Sequence, residues 1–182
     1  EQILLAASGH APIRSFENAD RAVNYGVEFE LKKGLSFIGP WFYPFSFVGN
    51  LSLIHSEINL TGDKEFQQDK RPLQGQADFI ANAGLYYENM NGKLAVALIY
   101  NKVGERIHSV GFANLGDVIE LPKDQIDFSV SAKVVDNVKL KIAMKDILNQ
   151  DHKFVQRTLE GDKPAEISRR GRIVTAGLSY QF

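Results

Sequence analysis

The sequence predicts an all-β fold, an antiparallel up-and-down β-barrel that crosses a membrane with its strands. Apolar residues recur at every second position in seven separate segments, and no helical periodicity extends over a useful length. The links between the segments alternate strictly between short and long. Successive side chains of a strand point to opposite faces, so each segment has one apolar and one polar face.

Seven full strands are predicted, and an apolar stretch near 2–7 suggests the end of one more. The full strands are expected at 23–37, 45–53, 77–87, 93–100, 125–135, 138–144 and 172–182. In the first, Val23, Tyr25 and Val27 alternate with Asn24, Gly26 and Glu28. The middle strands repeat this pattern, and the last one places Val174, Ala176, Leu178, Tyr180 and Phe182 on one face.

The links between the strands are sorted by length. The short links are 38–44, 89–92 and 135–137, and the long polar links are about 8–18, 61–72, 108–122 and 149–170. Outer-membrane barrels have tight periplasmic turns and long external loops, whereas soluble sandwiches have no reason to sort their links. All short turns would then lie at the end of the sheet that holds the C-terminus.

Composition excludes several function classes. The chain has 182 residues, a formal net charge of −1 and no cysteine. This charge gives no reason to expect nucleic acid as a partner, and disulfides and thiolate metal sites are impossible. No apolar run is long enough for a transmembrane helix. Because the sequence starts without Met or a signal-peptide pattern, we expect a piece of a longer protein.

Aromatic residues crowd around the predicted short turn in FIGPWFYPFSF (37–47). The aromatic cluster consists of Phe37, Trp41, Phe42, Tyr43, Phe45 and Phe47. Aromatic rings gather at membrane–water interfaces because their bodies are apolar while the indole N–H or phenol stays hydrated. We therefore predict an interfacial aromatic girdle, and a buried aromatic core cluster is the alternative.

Four stretches of the chain carry a resemblance to a known family. They are SFENADRAVNYGVEFELKKGL (15–35), RPLQGQADFIANAGLYYEN (71–89), DILNQDHKF (146–154) and RRGRIVTAGLSYQF (169–182). Together they resemble the C-terminal barrel segment of a TonB-dependent outer-membrane receptor. The likeness is greatest to the Bacteroidetes type, which carries a carboxypeptidase-regulatory-like domain before its plug. The stretches occur in family order and are spread along the chain from residue 15 to residue 182, which makes the set specific.

The resemblance implies that residues 1–182 form about seven C-terminal strands of a barrel of about 22 strands, without its plug. It also implies a location in the bacterial outer membrane and TonB-coupled import of a nutrient ligand. The partners would be outer-membrane lipid and lipopolysaccharide, the barrel-assembly machinery, TonB through the missing N-terminal part, and an unknown small-molecule or oligomeric ligand. The barrel-assembly signal of the last strand would comprise Gly177, Leu178, Tyr180 and Phe182.

Residues in the predicted outer loops are weak candidates for ligand contacts. They are His10, His108, His152, Arg169 and Arg170. Histidines could hold a metal or haem, but none are paired at ligand spacing, and solvated loop side chains are the alternative. The arginines could contact phosphates or pair with acids such as Glu166. No catalytic motif occurs, so we expect neither an enzyme nor a cofactor.

Two other protein classes fit parts of the pattern. A complete eight-stranded outer-membrane barrel with a structural or adhesive role would need a strand before residue 8 that pairs with the last one. A soluble β-barrel binding module of lipocalin type would place its apolar face inside and its polar face outside.

Overall fold

The computed structural model describes residues 2–5, 13–16, 21–59, 70–111, 116–158 and 160–182. The fold is all-β and its sheets are antiparallel, as predicted. The strands are β1 Gln2–Leu5, β2 Ile13–Phe16, β3 Arg21–Gly34, β4 Phe45–Asn59, β5 Lys70–Arg71, β6 Phe79–Glu88, β7 Leu94–Val103, β8 Arg106–Ser109, β9 Val118–Glu120, β10 Lys123–Val135, β11 Val138–Lys145, β12 His152–Thr158, β13 Gly161–Ser168 and β14 Ile173–Tyr180. One 3-10 turn, Pro40–Phe42, lies between β3 and β4.

The seven long strands form one sheet, here called the main sheet. Its order is β14-β11-β10-β7-β6-β4-β3, so each long strand pairs with the next one along the chain, and β5 pairs with the end of β4. These strands lie where the alternation predicts them. The main differences are at their ends: β4 continues to Asn59, whereas β14 ends at Tyr180. The turns at 35–44, 89–93 and 136–137 share one end of the sheet with Phe182.

The register aligns the apolar residues of neighbouring strands into continuous rows on one face of the main sheet, the apolar face. One such row contains Phe47, Leu85, Leu98, Phe128, Met144 and Val174. The opposite, polar face carries a row of amide side chains and one acid. This amide row contains Glu30, Asn50, Asn82, Asn101 and Gln125. A one-residue slip would exchange the two faces, so the side-chain pattern fixes the register.

The long links contain strands of their own, which the sequence did not predict. The link at 8–18 contains β2 and the link at 61–72 contains β5. The links at 104–122 and 146–172 pair with each other into a second sheet of order β13-β12-β9-β8, here called the small sheet. Its buried side is formed by Ile107, Val110 and Ile119, with Leu121 and Val155 packed against them. These long links are therefore partly ordered β-structure and not simple polar loops.

Among the described strands, the two N-terminal ones pair only with each other. β1 and β2 form a separate two-stranded sheet. Within the described ranges, β14 pairs with β11 alone and β3 with β4 alone, so the outer edges of the main sheet carry no partner strand. No helix in the described part of the chain is long and apolar enough to cross a membrane.

Candidate functional site

Nothing in the described part of the chain covers the apolar face of the main sheet. Large apolar side chains such as Val27, Phe29, Leu53 and Leu178 are exposed on it. Leu53 lies in β4, which pairs with a strand on each side, whereas β3 and β14 pair on one side among the described strands. A large exposed apolar surface is typical of a face that contacts another protein, a membrane or a ligand.

The aromatic cluster of 37–47 lies at the short-turn end of this face. Trp41 is 89% exposed, so the alternative of a buried aromatic core does not describe it. Phe42 packs against Phe45 at 5.9 Å between ring centroids, and Phe45 packs against Tyr87 at 5.0 Å. Phe37 and Tyr43 are also exposed, whereas Phe45 and Phe47 are half-buried.

The residues of the predicted assembly signal lie on the edge strand of the main sheet. Leu178 pairs with Leu140, and Tyr180 pairs with Val138 on the apolar face. Gly177 lies in the same strand, on the opposite face. Phe182 is fully exposed beyond the end of the strand, and its ring contacts that of Tyr180 at 5.6 Å.

Side chains of the amide row donate hydrogen bonds on the polar face, one of them within the row and two to neighbouring carboxylates. Asn101 Nδ2 donates to Asn82 Oδ1 at 2.6 Å, and Asn50 Nδ2 donates to the Glu28 carboxylate. Gln125 Nε2 donates to Asp127 Oδ1 at 3.1 Å. These pairs satisfy part of the hydrogen-bonding capacity of the polar side chains on this face.

Glu120 connects two long links in the small sheet. Its carboxylate accepts bonds of 2.8 and 3.0 Å from the Arg106 guanidinium and lies 2.7 Å from His152 Nε2. Burial alone would raise the pKa of Glu120, but its hydrogen bonds with Arg106 and His152 together hold that pKa below its usual range. The ionised form is therefore the one that joins β8, β9 and β12.

Two of the predicted ligand candidates, His108 and His152, contact the same buried ring. The Phe154 ring centroid is 4.7 Å from that of His108, in a T-shaped contact, and 4.6 Å from that of His152, in a tilted one. The structure thus brings two distant histidines to one aromatic side chain. Among the described residues, no group of three or more potential metal ligands occurs.

A buried ion pair closes the end of β11. Lys123 Nζ lies 2.6 Å from Asp146 Oδ2, and both side chains are largely buried. The Asp146 backbone has a φ of 53° and its N–H donates to Asp127 Oδ1 at 2.9 Å. Because Asp tolerates this left-handed conformation better than most residues, DILNQ forms a tight loop at the site.

The main sheet and the small sheet enclose a cavity of about 340 Å³, here called the mouth cavity. The amide row contributes Asn101 and Gln125 to its wall, and the small sheet contributes Glu120 and His152. The cavity lies at the end of the polar face opposite the short turns. Most of the residues that line it are polar or charged, and Val103, Leu121 and Ile173 add apolar surface.

The two candidate arginines have different surroundings. Arg169 forms an ion pair of 2.7 Å with Asp151, not with Glu166, and this contact lowers the pKa of Asp151. Arg170 lines the mouth cavity. His10 lies outside the described residues.

Sequence reasoning missed most of the cavity residues. Glu120, Arg106 and Lys145 lie in segments without a known motif, and their meeting depends on pairing between distant links. The sequence did contain information about the amide row. When neighbouring predicted strands are aligned by their alternating apolar and polar residues, Asn82, Asn101 and Gln125 lie side by side.

Comparison with protein-family models, with curated proteins and with solved structures finds no match to this chain.

Proposed function

We propose that this chain is the C-terminal part of the barrel of an outer-membrane receptor that imports a nutrient ligand by TonB-coupled active transport. The complete barrel would have about 22 strands and a plug. The described strands would supply a wall in contact with lipid and lipopolysaccharide, an external binding surface and a signal for the barrel-assembly machinery.

The proposal rests on the contrast between the two faces of the main sheet, one apolar and one polar. The apolar face runs across all seven strands with nothing in the described ranges covering it, while the polar face carries an internally hydrogen-bonded amide row. A transmembrane barrel needs this arrangement, because lipid contacts one side and a polar interior the other. A lipocalin-type module would instead bury the apolar face.

The sorting of the links supports the same orientation. The three short turns and Phe182 lie at one end, and the small sheet and the mouth cavity lie at the other. In outer-membrane barrels, short turns are periplasmic and long loops are external. The aromatic cluster then lies at the periplasmic interface and the mouth cavity opens toward the outside.

Adjacent residues on β7 provide a test of the orientation. Leu98 is 43% exposed on the apolar face, and Ile99 is 39% exposed on the polar face. In the full-length protein we expect Leu98→Lys to lower the amount of folded protein in the outer membrane, because a lysine facing lipid near mid-membrane costs about 2–4 kcal/mol. We expect Ile99→Lys to be tolerated, because this side chain faces the polar interior.

The readout is folded protein in the outer-membrane fraction, measured by heat-modifiable migration on gels. Equal effects of the two substitutions, or a stronger effect of Ile99→Lys, would contradict the proposed orientation. Recovery of the native protein in buffer without detergent would favour a soluble binding module instead.

A further inference from the structure

The mouth cavity has an excess of positive charge. Its lining includes four cationic side chains and only two carboxylates. The two carboxylates are already compensated, since Glu120 binds Arg106 and Asp146 binds Lys123. The side chains of Lys145 and Arg170 make no hydrogen bond or ion pair with the residues that the structure describes.

Unpaired hydrogen-bond acceptors lie in the same cavity. Asn101 and Gln125 use their NH2 groups to donate within the polar face, to Asn82 and Asp127 respectively. The side-chain carbonyl oxygens of Asn101 and Gln125 accept no hydrogen bond from the described part of the chain. A ligand with hydroxyl groups could donate to both oxygens.

The size of the cavity limits the ligand. Ligand pockets usually have volumes of roughly 300–1,000 Å³, and the mouth cavity is near the lower limit at about 340 Å³. The charges lie on the polar side of the wall, so a lipid headgroup approaching from the apolar face would not reach them. The chemistry favours a small free ligand.

We propose that the mouth cavity binds a small polyhydroxylated anion. Lys145 and Arg170 bind its carboxylate or phosphate group, because an ammonium and a guanidinium both form strong charge-assisted hydrogen bonds with such oxygens. Asn101 and Gln125 accept hydrogen bonds from its hydroxyl groups. Binding of the anion depends on the cavity alone. Its biological meaning, the recognition of cargo, rests on the proposed function.

Calorimetric titration of the full-length protein in an uncharged detergent tests the proposal with three probes. Gluconate supplies a carboxylate, glucose 6-phosphate supplies a phosphate, and sorbitol supplies hydroxyl groups without charge. We expect at least one anion to bind and sorbitol not to bind detectably. Binding of gluconate alone assigns the site to carboxylates, and binding of glucose 6-phosphate alone assigns it to phosphates. Added salt should weaken the binding.

Substitutions locate the binding in the cavity. The double variant Lys145→Gln/Arg170→Gln should weaken anion binding by about tenfold or more, because it removes two hydrogen bonds to a charged group. The double variant Lys145→Arg/Arg170→Lys keeps both charges and should retain most of the affinity. Lys139→Gln, on the same strand and face but at the short-turn end, should leave the affinity unchanged.

Three results would overturn the proposal: neither anion binds, sorbitol binds as tightly as the anions, or the Lys145→Gln/Arg170→Gln variant binds normally. Each is distinguishable from failure of the proposed function. The Leu98 and Ile99 variants report the orientation in the membrane without any ligand, whereas the titration reports the cavity whatever the cellular location.

Discussion

Glu120 illustrates how a single carboxylate joins distant parts of the chain. Arg106 lies 14 residues before it and His152 lies 32 residues after it, and both contact the same side chain. Removing an ionised partner from such a half-buried group costs more than the interaction itself contributes, since the remaining charge loses its compensation. The order of the small sheet therefore depends on the ionisation of this one residue.

We predict that the small sheet loosens in acid. The pKa of Glu120 is lower in the folded protein than in the unfolded chain. Its stabilising contribution is therefore complete above the unfolded pKa, about 4.3, and is lost as the pH falls through the folded pKa. Asp151, whose pKa is lowered by Arg169, contributes with the same sign.

Hydrogen exchange of β8, β9 and β12, corrected for the intrinsic effect of pH on exchange, measures this loosening. Glu120→Gln should reduce the protection of these strands against hydrogen exchange at neutral pH. It should also make that protection less dependent on pH. Glu166→Gln changes an exposed carboxylate and serves as the control. Protection that stays constant into the acid range in the unsubstituted protein would contradict the prediction.

Two glycines of β3, Gly26 and Gly34, differ in how closely neighbouring atoms approach them. At Gly26 in β3, an added Cβ would overlap the backbone carbonyl oxygen of Leu53 in β4. Gly34 in the same strand has open space where its Cβ would lie. The absence of a side chain at position 26 thus allows the close β3–β4 approach.

We predict that Gly26→Ala destabilises the main sheet by about 1–3 kcal/mol, because the clash is with backbone and forces the two strands to shift. Gly34→Ala, the matched control, should have little effect. The unfolding temperature in detergent, followed by the loss of β circular dichroism, provides the measurement. Similar unfolding temperatures for the two variants would show that the strands adjust easily at Gly26.

The last strand leads to a prediction about assembly. Phe182 extends beyond the end of β14, where only the Gln181 backbone N–H still bonds to Asn137 O at 2.9 Å. If the free end is read during assembly, deletion of Phe182 should reduce membrane insertion of the full-length protein while the sheet itself stays intact. Surface exposure on whole cells measures insertion, and Gln181→Ala is a control that keeps the terminal ring. Normal exposure after the deletion would count against the signal.

The whole molecule shows which parts of the fold can be predicted from local sequence patterns. The strands of the main sheet were predictable because each pairs with its neighbour along the chain and keeps a period of two. The small sheet was not, since its strands are short and its pairing joins Phe154 to Glu120 across the intervening long strands. The same pairing brings Glu120, His152 and Arg170 to one cavity, so the candidate site could not be assembled from motifs.

The open edges of the main sheet lead to a prediction about the whole protein. In the described part of the chain, the outer edges of β3 and β14 have no partner strand, and a membrane does not tolerate unpaired backbone groups. If the chain is part of an outer-membrane barrel, as we propose, the protein purified in detergent should have an intact mass several times 20.3 kDa. A mass near 20 kDa would favour a small eight-stranded barrel, although β1 pairs with β2 and not with β14 among the described strands.

The pairing of β9 with β12 also has a consequence for how such a surface can change during evolution or design. Because the links at 104–122 and 146–172 share one ladder and one buried cluster, neither can be grafted onto another scaffold alone. A chimaera that exchanges a single link would lose the ladder, whereas a joint exchange would carry the cavity wall with it. The two links therefore have to be exchanged together, although strands of the main sheet separate them along the chain.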